Sequence, residues 1–134
     1  MKAAVFHGPH QPLTIETVDI DKPMGREALV RTVAFGGCHS DLHFVDGLYP
    51  FPAPAILGHE AAGTGGAGGP QVNEFRPGDH VICCLSLFCG HCEYCLTGKT
   101  HLCQTRPTRT KGEPPKLSWK GPPVYLFANL TPYG

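Results

Sequence analysis

The order of apolar and polar residues predicts short strands joined by long irregular connections. Lys2–His7 reads as a brief apolar strand ending at Gly8-Pro9. Leu13–Thr17 alternates apolar and polar residues, as a half-buried strand does. After a turn at Asp21–Gly25, the segment Glu27–Phe35 is rich in Leu, Val, Thr and Phe. It predicts a more deeply buried strand, interrupted by Arg31 and stopped by Gly36-Gly37. Denser polar residues from Cys38 to Asp46 predict a short helix. Tyr49–Pro54 contains three prolines, which fix φ and remove backbone donors, so it predicts an extended loop. Ile56–Thr64 returns to a strand through Gly58-His59-Glu60, and the turn Phe75–Asp79 leads into a strand at His80–Leu85.

Composition narrows this to one mostly β domain. The chain has 134 residues, 41% of them hydrophobic, with 17 Gly and 14 Pro that demand many turns. Its formal net charge is zero, so no global field points to a nucleic acid or an anionic membrane. No apolar run reaches the ~18 residues of a membrane span. The N-terminus lacks the apolar core of a signal peptide, and the expected location is cytoplasmic. In such a compartment seven cysteines read as metal ligands and core thiols. Lys99 to Lys120 carries six basic residues against the single acid Glu113 and reads as a solvated surface loop.

The chemistry begins with Cys89, Cys92, Cys95 and Cys103, four cysteines within fifteen residues. Zinc takes four ligands in a tetrahedron, and Cys-x-x-Cys places two thiolates along one edge. Cys95 extends the pattern and the excursion through Gly98 lets Cys103 close it. Four thiolates leave no position for water or substrate, so such a site is structural. His91 and His101 lie inside the loop as well, but four sulfurs leave them no vacancy. The alternative is a set of buried or disulfide-bonded cysteines.

A second constellation spans Cys38, His39, Ser40, Asp41 and His43, joined later by His59 and Glu60. A cysteine and a histidine brought together by the fold supply two ligands of a catalytic zinc, which needs three and an open position. Taken alone, the same residues also suit a small buried thiol and a hydrogen-bonded imidazole.

Four segments in one order carry a resemblance: Gly37–His43, Phe51–Glu60, Phe75–Val81 and the four-cysteine loop. Together they make the chain similar to the catalytic domain of zinc-dependent medium-chain alcohol dehydrogenases. The resemblance implies a GroES-like distorted β-barrel over 1–134, with short helices and a zinc lobe at about 86–105. It implies that Cys38 and His59 hold a catalytic zinc, and that Cys89, Cys92, Cys95 and Cys103 hold a structural one. Asp41 would orient the zinc-bound imidazole, and Glu60 would stand beside the metal. Ser40 and His43 would relay the alcohol proton, and His39 would face the cofactor pyrophosphate. The implied reaction oxidises an alcohol to an aldehyde or ketone by hydride transfer to NAD or NADP. Small alcohols or aldehydes would be the partners, with a homo-oligomer compatible with the full-length form.

Two departures qualify that implication. The nucleotide-binding domain of the family, which supplies a third catalytic ligand, is not found before Gly134, so the isolated chain is expected to be inactive. Gly63–Gly68 is not a dinucleotide fingerprint, because no helical pattern follows it. Cys83 and Cys84 read as core thiols on a strand. The glycine-rich stretch Thr64–Pro70 is expected to be a short or poorly ordered strand. The competing function is a stand-alone zinc-binding interaction module without enzymatic activity.

Overall fold

A computed structural model describes residues 1–105 and 114–129. The middle of the basic run, 106–113, lies outside them, as does the stretch 130–134. The elements follow in the order β1 (Lys2–Val5), β2 (Thr14–Thr17), β3 (Asp19–Ile20), β4 (Ala28–Phe35), α1 (His39–Val45), β5 (Ala55–Ile56), β6 (Ala61–Gly68), β7 (His80–Ile82), α2 (Glu93–Leu96), β8 (Leu117–Ser118) and β9 (Tyr125–Leu126). Short 3₁₀ turns occupy Thr100–Leu102 and Phe127–Asn129. No helix among the described residues is long and apolar enough to cross a membrane.

The strands are mostly antiparallel. β1 pairs with β2, β3 with β8, and β4, β6 and β7 form a three-stranded sheet in that order. β5 and β9 are parallel, with Ala55 opposite Tyr125 and Ile56 opposite Leu126. These are four small sheets, and among the described residues no barrel closes. The expectation of a distorted barrel is corrected in that respect. Strands of two to four residues, cut by Pro and Gly, are too short to wrap, and only β4 and β6 reach eight residues.

The core is divided between two clusters. Ala3, Val5, Val18, Ile56, Leu117 and Val124 form one, and Phe6, Phe44, Ala55 and Leu57 the other. Each large apolar side chain in them contributes about 1.5–3 kcal/mol by leaving water. β5 separates the clusters and is held on both edges. Phe6 exchanges backbone hydrogen bonds with Ala55 at 2.8 and 2.9 Å, and Tyr125 N–H donates to the Pro54 carbonyl at 2.9 Å. The described basic residues near the C-terminal end are partnered within the fold. Lys116 pairs with Glu27 at 3.4 Å, and Lys120 lies 4.2 Å from the Trp119 ring centre.

Three strands differ from expectation. In β2 the alternation is present but faces the other way, with Ile15 72% exposed. Directly opposed residues of an antiparallel pair share a face, and the register sets Glu16 opposite Ala3 and Thr14 opposite Val5. The inward side of β1 therefore carries the polar side of β2. β4 is less buried than its composition predicts, and Val33 is 73% exposed. It is an edge strand with a register shift between Thr32 and Ala34 that carries Val33 out of the ladder.

The glycine-rich strand is the largest correction. β6 is eight residues long and occupies the centre of its sheet, paired to both neighbours. Glycine is needed there because neighbours approach closely. A Cβ on Gly63 would overlap the Arg31 carbonyl, and one on Gly65 would meet the Phe75 ring at 2.7 Å. Gly66 is different, since its Cβ would come no nearer than 3.4 Å to the Leu29 carbonyl oxygen. Gly63→Ala is expected to destabilise the chain by about 1–3 kcal/mol through overpacking against backbone. Gly66→Ala should change stability by less than about 0.5 kcal/mol. Urea unfolding midpoints of the two variants check this, and equal midpoints would remove the close-approach explanation.

Candidate metal centres

The cysteine lobe is built by local geometry. Cys92 precedes the single-turn helix α2, which carries Cys95, and the 3₁₀ turn Thr100–Leu102 delivers Cys103. The Sγ atoms of Cys92 and Cys95 are 3.4 Å apart, those of Cys89 and Cys95 3.9 Å, and those of Cys92 and Cys103 3.9 Å. All four lie within 4.8 Å of one another. A disulfide needs about 2.05 Å, so these are free thiols. A tetrahedral zinc with bonds of about 2.3 Å requires sulfur–sulfur separations of about 3.8 Å, which this cluster offers. His91 is not a substitute ligand here. Its Nδ1 lies 3.0 Å from the Cys89 carbonyl oxygen.

Backbone donors prepare the sulfurs for charge. Cys92 N–H donates to the Cys89 sulfur at 3.4 Å, and Cys89 N–H donates to the Cys103 sulfur at 3.3 Å. The His91 amide, ahead of the other donors, lowers the Cys89 thiol to about 6. The Cys95 amide lowers Cys92. Desolvation raises Cys95 to about 11. One cluster therefore holds a ready thiolate beside a thiol that must lose its proton to a metal.

The second centre is assembled by tertiary structure. Cys38 caps the N-terminus of α1, and His59 follows β5 after a turn at Gly58, whose φ of 94° suits glycine. Cys38, His59 and Glu60 each present a ligand atom within 4.8 Å of the others. His59 is 8% exposed and Asp41 4%. The Asp41 carboxylate accepts the Gly58 N–H at 3.0 Å and the Cys38 N–H at 3.4 Å. It also faces His59 Nδ1 at 3.6 Å, while His59 Nε2 faces Glu60 at 3.8 Å. The buried Nδ1 has no hydrogen-bond partner closer than that carboxylate. An imidazole that faces a carboxylate from each nitrogen, grouped with a thiol, is a donor set suited to zinc.

The remaining candidates lie along α1. Ser40 Oγ is 3.5 Å from the Cys38 sulfur. His43 lies edge-on to the rings of His39 and Tyr49, each 4.9 Å away, and its buried Nδ1 has no hydrogen-bond partner. His39 is exposed. Cys83 and Cys84 are not brought to either cluster. They also lie beyond the end of β7 at Ile82. Burial raises the Cys83 thiol, as for a core cysteine, but Cys84 is exposed, which corrects the reading of both as core thiols.

Two residues near this centre carry no motif. A Cβ on Gly36 would overlap the Glu60 carboxylate, so glycine there leaves room for Glu60 beside Cys38 and His59. The Phe127 ring stands 5.5 Å from His59 at 78°. Gly36 had a signal in the Gly-Gly pair before Cys38, whereas nothing in the sequence ties Phe127 to His59.

Residues 24–121 match the family described as the alcohol dehydrogenase GroES-like domain. The chain is 39% identical to an S-(hydroxymethyl)glutathione dehydrogenase of Haemophilus influenzae, over 98% of this chain and 36% of that protein. It is 41% identical to an NDMA-dependent alcohol dehydrogenase of Amycolatopsis methanolica, over 89% of this chain and 32% of that one. The crystal structure of an alcohol dehydrogenase zinc-binding domain protein from Burkholderia ambifaria superposes with a TM-score of 0.84 at 37% identity. That match covers 98% of this chain and 37% of the other. The chain thus spans about a third of the length of the relatives it matches.

Metal binding to the cysteine lobe should depend on pH with a definite sign. Above about 6 Cys89 is already a thiolate, whereas Cys95, raised to about 11, still holds its proton at neutrality. Zinc binding at neutral pH is expected to release the Cys95 proton. As pH falls through about 6, Cys89 becomes protonated as well, so affinity should fall more steeply there. Chelator competition at a series of pH values checks this. A flat affinity across that range would show that the thiols are not the ligands.

Proposed function

Because this chain belongs to the alcohol dehydrogenase GroES-like domain family, we propose that it forms the zinc-binding, substrate-side portion of an oxidoreductase. That enzyme oxidises an alcohol to an aldehyde or ketone and passes hydride to NAD or NADP. The observation that carries the reading is the convergence of Cys38, His59 and Glu60 around one point, backed by Asp41. Cys89, Cys92, Cys95 and Cys103 would hold a second, structural zinc, supported by four sulfurs within 4.8 Å of one another. We place the nicotinamide site outside the matched third of the enzyme, and the reaction in the cytoplasm.

In this reading Cys38 and His59 hold the catalytic zinc, with Glu60 as a neighbouring carboxylate able to enter the ligand set. A zinc ion bound there supplies Lewis acidity, which lowers the pKa of a substrate hydroxyl. Asp41 faces the imidazole Nδ1 at 3.6 Å, and Nε2 is left for the metal. Ser40, beside the Cys38 sulfur, takes up the hydroxyl proton, and His43 carries it onward. His39, exposed at the start of the same helix, is placed to meet the cofactor pyrophosphate. Small alcohols and aldehydes are the substrates that this arrangement serves.

The reading predicts two classes of zinc on the purified chain. One equivalent should resist chelators, and a second should bind more weakly. Cys38→Ser should abolish the weaker equivalent alone, whereas Cys92→Ser should abolish the tighter one and lower thermal stability. A chain that takes up no second equivalent would sink the catalytic-metal assignment. A polypeptide of these 134 residues alone is expected to form no NADH or NADPH from alcohols. Turnover at an ordinary enzymatic rate, of roughly 1 per second or more, would contradict the placement of the nicotinamide site elsewhere.

A further inference from the structure

His59 is held on its polar side by a loose contact. Its Nδ1 is 3.6 Å from Asp41, beyond good hydrogen-bond distance, and the torsion that turns an imidazole is broad. The Phe127 ring stands against the same imidazole, at 5.5 Å and 78°. We propose that Phe127 is a positioning residue for the second metal centre, its ring fixing the His59 imidazole so that Nε2 stays turned toward Glu60. The inference rests on the assignment of that centre as a metal site.

Three observations support it. First, the parallel pairing of β5 and β9 delivers both residues from one place in the fold. Ile56 is opposite Leu126, Phe127 follows directly, and His59 lies just past β5. Second, Phe127 is itself immobilised. It packs edge-on to Phe44 at 4.8 Å and to Phe51 at 5.8 Å, and those two rings are 5.2 Å apart. Phe44 belongs to α1, the helix that carries Ser40, Asp41 and His43, so the ring cluster links both halves of the centre. Third, the backbone turns sharply just after Phe127. Ala128 has φ 51° and ψ 23°, a left-handed conformation that non-glycine residues seldom adopt. Such outliers persist where the surrounding structure overrides local preference, and they gather at functional sites.

A ring packed edge to face against an imidazole restricts its rotation without competing for either nitrogen. A leucine fills much of the same volume but has no flat face to set the angle, whereas a tyrosine keeps the ring. The test titrates zinc into the chain already carrying one equivalent, for the wild type, Phe127→Leu and Phe127→Tyr. Proton and nitrogen NMR of the His59 ring accompanies each titration. Phe127→Leu should weaken the second equivalent by about tenfold, as loss of an outer contact to a metal ligand commonly does. It should leave the first equivalent unchanged and replace a single His59 tautomer by a mixture. Phe127→Tyr should restore both. Equal affinity and a single tautomer in Phe127→Leu would overturn the proposal while leaving the metal centre standing. A wild-type chain that takes no second equivalent would overturn both together. If Phe127→Leu does not fold, the wild-type spectrum decides. Ring-current displacement of the His59 ring protons with one tautomer supports the proposal, and undisplaced protons with exchanging tautomers reject it.

Discussion

One buried carboxylate ties the second centre together. Asp41 accepts backbone N–H groups from Cys38 and Gly58 and faces the His59 ring, so one side chain joins the start of α1 to the loop after β5. A carboxylate that is only 4% exposed is costly unless it is paired and hydrogen-bonded. Meeting that requirement sets where the helix begins and where the histidine stands. Cys38 and His59 are thus positioned by the needs of one shared carboxylate.

The two centres come from different kinds of constraint, and this decides what the sequence reveals. The cysteine lobe is local. Its four sulfurs lie within fifteen residues and are gathered by one helical turn and one 3₁₀ turn, so spacing alone predicts the cluster. The Cys38 and His59 pair depends on the course of the chain between them, and its residue types alone also fit a buried thiol and a bonded imidazole. The ordered motifs of a family singled it out. Phe127 is further still along the chain, and it reaches His59 only because β5 and β9 run side by side. A phenylalanine just past a two-residue strand carries no mark of that contact.

Strand existence was readable and strand environment was not. Alternation in Leu13–Thr17 identifies β2, yet the inward face is set by register with β1, which places Glu16 opposite Ala3. The apolar content of β4 identifies a strand, but burial depends on what covers it, and β4 lies at a sheet edge. The glycines of β6 argue against a strand when their entropy alone is considered. They favour one when Arg31 and Phe75 press against the places their side chains would fill. Local propensity was overridden in each case by a neighbour distant in sequence.

The same reasoning explains why small sheets suffice to hold the site. β5 has only two residues, but it is bonded along both edges and its side chains are fully buried. Position requires rigidity at the point of attachment more than length of strand. Phe6 on one edge and β9 on the other fix the residue pair that launches His59, while the aromatic cluster beneath fixes α1 relative to it. A chain with few long elements can thus hold Cys38, His59 and Glu60 together, because one of its two-residue strands lies between both parts of the core.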